Sequence, residues 1–134
     1  MDVSFWSSMK LIRILQKKKY SEDGASFVLF SSIAAKTGEK GMFAYSAAKA
    51  SVSTAVKTLA KEISKRKLRI NAVCPGRVNT PMTAEGGDPS MESRHLLGIG
   101  NPKDISGMVL FLLSDRARWI TGTDIIVDGG YLAN

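Results

Sequence analysis

The chain has 134 residues, of which 44% are hydrophobic and 23% charged, a balance typical of one globular domain with its own core. The formal charge of +7 requires nucleic acid to be considered, but aromatic residues do not interleave with the basic runs, which favours solvated helix ends and no nucleic-acid partner. No apolar run approaches the ~18 residues that span a bilayer, so we expect no membrane segment. Cys74 is the only cysteine, so we expect no intrachain disulfide and no cysteine metal cluster. Both features favour a cytoplasmic location.

The first half of the chain predicts a helix, a strand and a second helix. Residues 3–18 carry apolar side chains at near-helical spacing. Residues 27–30 form a continuous apolar run, which is typical of a parallel strand buried on both faces. A loop with two glycines over residues 31–41 is followed by the strongest predicted helix, residues 42–65, which has an apolar stripe along one side.

The second half continues the alternation. Residues 68–73 predict the next buried strand, which Cys74-Pro75-Gly76 should end. Residues 83–100 lack a clear period and are typical of a mobile lid or a short irregular helix. A helix then begins at Pro102 behind an asparagine N-cap, and residues 124–127 form the last strand. This order predicts right-handed crossovers and a parallel sheet with helices on both faces.

The spacing of Tyr45 and Lys49 is the strongest chemical signal in the sequence. Positions four apart share one face of a helix, and a fixed positive charge beside a phenol favours the phenolate. The pair therefore suits proton transfer at a carbonyl or hydroxyl oxygen, although a half-buried tyrosine beside a solvated lysine has the same spacing. Ser32 and residues 75–80 follow two neighbouring predicted strands, at the sheet edge where ligands bind.

Five blocks of sequence together resemble the short-chain dehydrogenase/reductase family. They are SSIAA, YSAAKAS, RINAVCPGRVNTPM, NPKDISGMVLFLLSD and ITGTDIIVDGG. The resemblance covers the chain from about Phe27 onward and is nearest to the 3-oxoacyl-carrier-protein reductase type and to sugar or polyol dehydrogenases. It implies the C-terminal portion of a Rossmann-type doubly wound sheet, about three strands with flanking helices, as one partial domain over residues 1–134. It also implies an enzyme that interconverts a hydroxyl and a carbonyl of a small alcohol or ketone, with NAD or NADP.

The resemblance implies a role for each candidate residue. Tyr45 is the expected general acid/base, and Lys49 favours its phenolate and binds the nicotinamide ribose. Ser32 is expected to hydrogen-bond the substrate oxygen, although it could merely cap a loop. The expected cofactor-binding residues are Tyr45, Lys49, Pro75, Gly76, Val78 and Thr80.

Other residues receive plainer interpretations. Ser31 is expected to be structural, His95 to be a surface residue of the lid, and Trp119 to be a packing residue. Thr80 could be only a turn residue. Residues 82–97 correspond to the variable lid of the family, and no cluster of residues in the sequence suggests a metal site.

The sequence also departs from the family pattern. It contains no glycine-rich turn of the type TGxxxGxG, and the asparagine of the family's proton relay falls near Asp2 or Phe5. We therefore expect no cradle for the adenosine half of the cofactor, an exposed apolar edge at residues 27–30, and marginal stability. The alternative is a truncated, inactive fragment that at most forms oligomers, since the helices 3–18 and 42–65 carry the family's homo-oligomer contacts.

Overall fold

The computed structural model describes residues 5–84 and 89–134. Within these residues the chain forms a three-stranded parallel sheet in the order β1-β2-β3. The strands are Ser26–Phe30 (β1), Arg69–Pro75 (β2) and Asp124–Val127 (β3). The predicted α/β class with about three parallel strands is therefore confirmed.

Six α-helices of very different length surround this sheet in the described residues. In chain order they are Ser7–Leu15 (α1), Ala34–Thr37 (α2), Phe43–Ile63 (α3), Pro81–Ala84 (α4), Pro89–Ser93 (α5) and Pro102–Leu113 (α6). The predicted helices 3–18 and 42–65 correspond to α1, which ends at Leu15, and to α3, which ends at Ile63. Residues 3 and 4 of the first prediction lie outside the described residues. The predicted start of α6 at Pro102 is confirmed, and the carboxylate of Asp104 accepts the Asn101 N–H at 2.6 Å there.

Two predicted boundaries are wrong. The predicted break at residues 74–76 begins too early, because β2 continues to Pro75, which pairs with Val127 of β3. The predicted loop over residues 31–41 contains α2, which ends at Gly38 in left-handed backbone with a φ of 66°. A single turn of helix is too short to show an apolar period, so only the glycine that ends it is visible in the sequence.

The strands differ in burial. Every residue of β2 from Arg69 to Cys74 is buried. β1 is only partly buried, and Phe30 at its end is 50% exposed. The prediction that β1 is buried on both faces is therefore wrong, because β1 has one neighbour in the sheet whereas β2 has two. The expected exposed apolar edge lies at this strand.

Two hydrophobic clusters pack against opposite faces of the sheet. The cluster formed with α1 and α3 contains Ile12, Val56, Ala60, Ile63, Leu68, Ile70 and Ala72. The cluster formed with α6 contains Val73, Ile105, Leu112 and Ala117. Alternate residues of β2 supply the two clusters, as the two-residue period of a strand requires. Helices on both faces are confirmed, but Trp119 is 91% exposed and the prediction that it packs is wrong.

A buried arginine fastens α6 to the sheet. Arg69 begins β2 and is only 7% exposed. Its guanidinium donates to the carbonyl oxygens of Leu112 at 2.8 Å and Ser114 at 2.9 Å, at the C-terminus of α6. Carbonyl groups at a helix C-terminus carry partial negative charge, so they compensate part of the cost of burying the cation.

We expect Arg69→Met to lower the free energy of unfolding by about 2–3 kcal/mol, because the carbonyl groups of Leu112 and Ser114 lose a charged donor. Urea denaturation followed by circular dichroism measures this loss. Arg118→Met is the matched control, since Arg118 is exposed, and it should change the free energy by less than about 0.5 kcal/mol. Equal effects of the two variants would contradict the anchoring role of Arg69.

Candidate active site

A pocket of about 520 Å³ lies at the carboxyl ends of β1 and β2, between α3 and α6. All six predicted cofactor-binding residues line it, namely Tyr45, Lys49, Pro75, Gly76, Val78 and Thr80. Ser31 also lines the pocket, whereas Ser32 is not among its lining residues. The structure therefore brings together every candidate site residue except Ser32, which lies one residue away from the wall.

Tyr45 and Lys49 lie on the first turns of α3 and share one of its faces. The Lys49 ammonium is 5.7 Å from the centroid of the Tyr45 ring. It donates a hydrogen bond of 2.9 Å to the carbonyl oxygen of Phe30, at the end of β1. Burial lowers the pKa of Lys49, while the Tyr45 ring is 44% exposed. The cation is thus held on the protein side of the pair, and the phenol faces the open side.

The two serines after β1 make different contacts. The Ser31 hydroxyl contacts the carbonyl oxygen of Lys49 and the Ser53 hydroxyl, both at 2.9 Å, so it ties the end of β1 to α3. The Ser32 hydroxyl oxygen accepts the Ala34 N–H at 3.1 Å, at the start of α2. Ser31 makes the contacts of a structural residue, and Ser32 makes those of a capping residue.

The backbone between Pro75 and Thr80 forms one wall of the pocket. Gly76 donates its N–H to the carbonyl oxygen of Val127 at 3.0 Å, which places the loop directly beyond β3. A Cβ at Gly76 would lie 2.8 Å from the Cα of Asp128, so no larger residue fits there without a shift of backbone. The Thr80 hydroxyl is 3.2 Å from the hydroxyl of Thr83, which is the contact expected of a turn residue.

Arg77 is a residue of the pocket that the sequence reasoning did not single out. Its side chain lines the pocket, and one guanidinium nitrogen donates to the carbonyl oxygen of Thr83 at 3.0 Å. Together with Lys49 it gives the wall two cations, and no carboxylate is among the lining residues that the structure describes. Such a wall suits an anionic ligand. In the sequence, the position of Arg77 between Gly76 and Val78, two predicted cofactor-binding residues, is the feature that indicates a place in the pocket.

His95 is buried, at 4% exposure, so the prediction that it is a surface residue of the lid is wrong. Its Nε2 lies 3.0 Å from the backbone nitrogen of Arg77, and its Nδ1 lies 2.7 Å from the carbonyl oxygen of Met91. Its ring packs on Tyr131 with the two centroids 4.7 Å apart. These partners are distant in the sequence or lie in its aperiodic part, so no local pattern indicates the burial. Residues 85–88 of the predicted lid lie outside the described residues, as does Asp2.

A cluster of polar and aromatic side chains backs His95. The Tyr131 hydroxyl donates to Oε1 of Glu39 at 2.6 Å. The Arg94 guanidinium carbon lies 4.2 Å from the centroid of the Tyr131 ring. The hydrogen bond from Tyr131 is the largest of the influences that lower the pKa of Glu39, and the nearby Arg94 charge acts in the same direction. This cluster joins the segment before α3, the lid and the C-terminal turn.

Across residues 5–84 and 89–134, no group of three or more His, Cys, Asp or Glu side chains could hold a metal ion. Over the same ranges, no helix is both long and apolar enough to cross a bilayer.

Comparisons with known proteins give consistent matches. A family model described as enoyl-(acyl carrier protein) reductase matches residues 1–132. The chain is 41% identical over 109 residues to a 3-oxoacyl-(acyl-carrier-protein) reductase of Thermotoga maritima, covering 78% of this chain and 44% of that relative. It is 39% identical over 110 residues to a cyclopentanol dehydrogenase of Comamonas, covering 78% of this chain and 44% of the relative.

The fold is also similar to that of solved structures. A 4-hydroxyisoleucine dehydrogenase complexed with NADH superposes with a TM-score of 0.91 at 30% identity, covering 99% of this chain and 58% of that one. The chain therefore spans about half the length of the proteins it matches.

We expect Tyr131→Phe to lower the free energy of unfolding by about 1.5 kcal/mol at pH 7, because ionised Glu39 loses a short hydrogen bond. The pKa of Glu39 is lowered in the folded state, so its stabilising contribution is complete above the ordinary glutamate pKa and is lost as the pH falls through the lowered one. The loss caused by Tyr131→Phe should therefore be smaller at pH 3 than at pH 7 in urea titrations. Tyr20→Phe, at an exposed tyrosine, should show no such pH dependence; a loss for Tyr131→Phe that is the same at both pH values would contradict this role of Glu39.

Proposed function

The chain belongs to the short-chain dehydrogenase/reductase family, and from this membership we propose that its pocket interconverts a hydroxyl and a carbonyl group by hydride transfer, with NAD or NADP as coenzyme. The observation that carries the proposal is the shared pocket of Tyr45 and Lys49 with the loop after β2. Proton-transfer chemistry and a ligand-binding loop meet there, at the sheet edge where parallel α/β folds bind ligands.

The residues of the pocket fit a nicotinamide nucleotide. The two cations, Lys49 and Arg77, suit its phosphate groups. The residues that would hold it are Tyr45, Lys49, Pro75, Gly76, Val78 and Thr80. The bound coenzyme supplies or accepts the hydride, and the protein supplies placement and electrostatics.

Tyr45 serves as the general acid/base in this proposal. Its ring is open to the pocket, so its hydroxyl can exchange a proton with a substrate oxygen. Lys49 favours the phenolate as long as its ammonium is charged. Burial lowers the pKa of Lys49, but the carbonyl oxygen of Phe30 accepts a hydrogen bond from the ammonium and so stabilises the charged form.

In this proposal Ser32, which lies one residue beyond the pocket wall, hydrogen-bonds the oxygen of a substrate that reaches the start of α2. Its oxygen accepts the Ala34 N–H, which fixes the hydroxyl at the start of α2 and leaves its own proton as a donor. A donor held in place before the reaction stabilises developing charge more effectively than one that must first reorient. Ser31 positions the same segment through its contacts with α3.

The substrate class that we propose is a small alcohol or ketone. The pocket combines apolar walls at Phe30, Ile105 and Val109 with the polar groups of Tyr45 and Lys49. A cyclic secondary alcohol, as in the name of the Comamonas relative, and a 3-oxoacyl group, as in that of the Thermotoga relative, both satisfy this combination. The cytoplasmic location and the treatment of residues 1–134 as one partial domain stay predictions.

An oligomerisation role is the second candidate, and exposed apolar residues on α1 favour it. Trp6, just before α1, is exposed, as are Leu11 and Ile14 within it. Association of copies through α1 and α3 would cover these side chains. This role is compatible with catalysis in a homo-oligomer, and it would be the only role of a chain that binds no coenzyme.

We expect reduced nicotinamide mononucleotide to bind with a dissociation constant on the order of millimolar, since this ligand needs only the nicotinamide side of the pocket. Shifts of the Val78 and Thr80 amide resonances measure binding. Lys49→Met should weaken it about tenfold, whereas Lys57→Met, at an exposed lysine of the same helix, should leave it unchanged. A chain that is folded but shows no saturable response would favour the oligomerisation role alone.

We expect Tyr45→Phe to lower turnover of a secondary alcohol by about 10²–10⁴-fold, because the general acid/base is removed. Affinity for the coenzyme should change less than about twofold, since the ring stays in place. Initial rates with NAD or NADP, together with coenzyme titrations, separate the two effects. Tyr20→Phe is the control for loss of a tyrosine hydroxyl, and turnover that survives Tyr45→Phe would exclude the assigned role.

A further inference from the structure

The hydrogen bonds of His95 define a single neutral form of its ring. The carbonyl oxygen of Met91 can only accept, so Nδ1 carries the proton and donates across 2.7 Å. Nε2 is then the acceptor for the Arg77 N–H at 3.0 Å. One side chain of the lid is thereby joined to the backbone of the pocket wall.

Nε2 of His95 accepts its hydrogen bond from the middle of the loop that forms this wall. Arg77 lies between Gly76 and Val78, all three of which line the pocket, whereas His95 itself does not. A Cβ at Gly76 would lie 2.9 Å from Nε2, so the imidazole contacts the rear of this backbone directly. A change in the ring would therefore reach a ligand only through the loop.

The imidazole is held in place from its other side. Tyr131 packs on the ring, and Glu39 accepts a hydrogen bond from the Tyr131 hydroxyl. Arg94 lies over the Tyr131 ring, 4.2 Å from its centroid. The neighbouring Asp128 carboxylate accepts the N–H groups of two residues of the C-terminal turn, at 2.9 Å each. The imidazole thus lies between the hydrogen-bonded pair Tyr131 and Glu39 on one side and the loop on the other, and this packing holds it next to Arg77.

We propose that His95 is a positioning residue for the nicotinamide end of the coenzyme, which rests on the proposed function. Its neutral imidazole fixes the Arg77 amide, and with it the backbone from Gly76 to Val78 that faces the ligand. The hydrogen bond from the Arg77 N–H to His95 consequently couples the segment from Met91 to Gly98 to coenzyme affinity, beside the backbone hydrogen bonds that join Gly100 to Arg77 and Asn79. A residue that served only to fill the core would contribute to stability without this coupling.

Two substitutions of His95 separate positioning from packing. His95→Gln retains a side-chain acceptor that can reach the Arg77 N–H, whereas His95→Leu keeps a similar volume without an acceptor. Hydrogen exchange of the Arg77 amide should be at least about fivefold faster in His95→Leu, as expected for one lost hydrogen bond. The dissociation constant for reduced nicotinamide mononucleotide should rise about five- to tenfold in that variant. In His95→Gln both values should stay within about twofold of the original chain.

Arg69→Met is the control for lost stability, since Arg69 contacts α6 and the turn that follows it rather than the loop. It should lower stability without changing coenzyme affinity. Equal affinity of His95→Leu and the original chain would overturn the proposal, and so would unchanged exchange of the Arg77 amide in His95→Leu. If the original chain binds no nicotinamide mononucleotide, the proposed function fails and the coenzyme role of His95 fails with it. The Arg77 amide in the two variants would then still decide whether His95 fixes the loop.

Discussion

The parallel pairing of β2 with a strand on each side determines where the rest of the described chain lies. β2 is buried from Arg69 to Cys74, and its backbone is paired with both neighbours. Because alternate side chains point to opposite faces, Ile70 and Ala72 contact the side of α3 while Val73 contacts the side of α6. The same strand carries the loop that begins at Pro75 to the edge where the pocket lies. The core and the pocket therefore both depend on the register in which β2 pairs with β1 and β3.

Two cations, the buried Arg69 and the partly exposed Lys49, stabilise this arrangement through carbonyl oxygens. Arg69 joins the amino end of β2 to the C-terminus of α6, and Lys49 joins α3 to the carbonyl group of Phe30. A guanidinium stays charged in any protein environment, so the contact of Arg69 is permanent. Burial lowers the pKa of Lys49, so its charge depends more on its surroundings. Arg69, whose charge does not change, thus stabilises the fold, whereas Lys49, whose charge depends on its surroundings, lies in the pocket.

Local patterns predicted the sheet, the long helices and most of the candidate site, because apolar periodicity and strand ends are short-range features. Three of the wrong predictions depend on distant partners, whereas α2 was not predicted because a single turn of helix is too short to show an apolar period. β2 runs on to Pro75 because β3 pairs with it from about fifty residues away in the chain. His95 is buried by Arg77 and Tyr131, neither of which its own aperiodic segment can indicate. The exposure of Phe30 likewise follows from the position of β1 in the sheet, which no property of the run itself encodes.

The crowding at Gly76 bears on how this fold could be recombined with its relatives. The backbone of Asp128 and the ring of His95 both lie within 3 Å of the point that a Cβ would occupy. Three segments that are far apart in the chain thus meet at one point without spare volume. A chimaera that took its lid from another protein would have to inherit the loop after β2 and the C-terminal turn from the same parent. A crossover within α3 separates no members of this triplet, because all three segments follow that helix, whereas a crossover within α6 would separate the C-terminal turn from the other two. Helix α3 is therefore the natural junction.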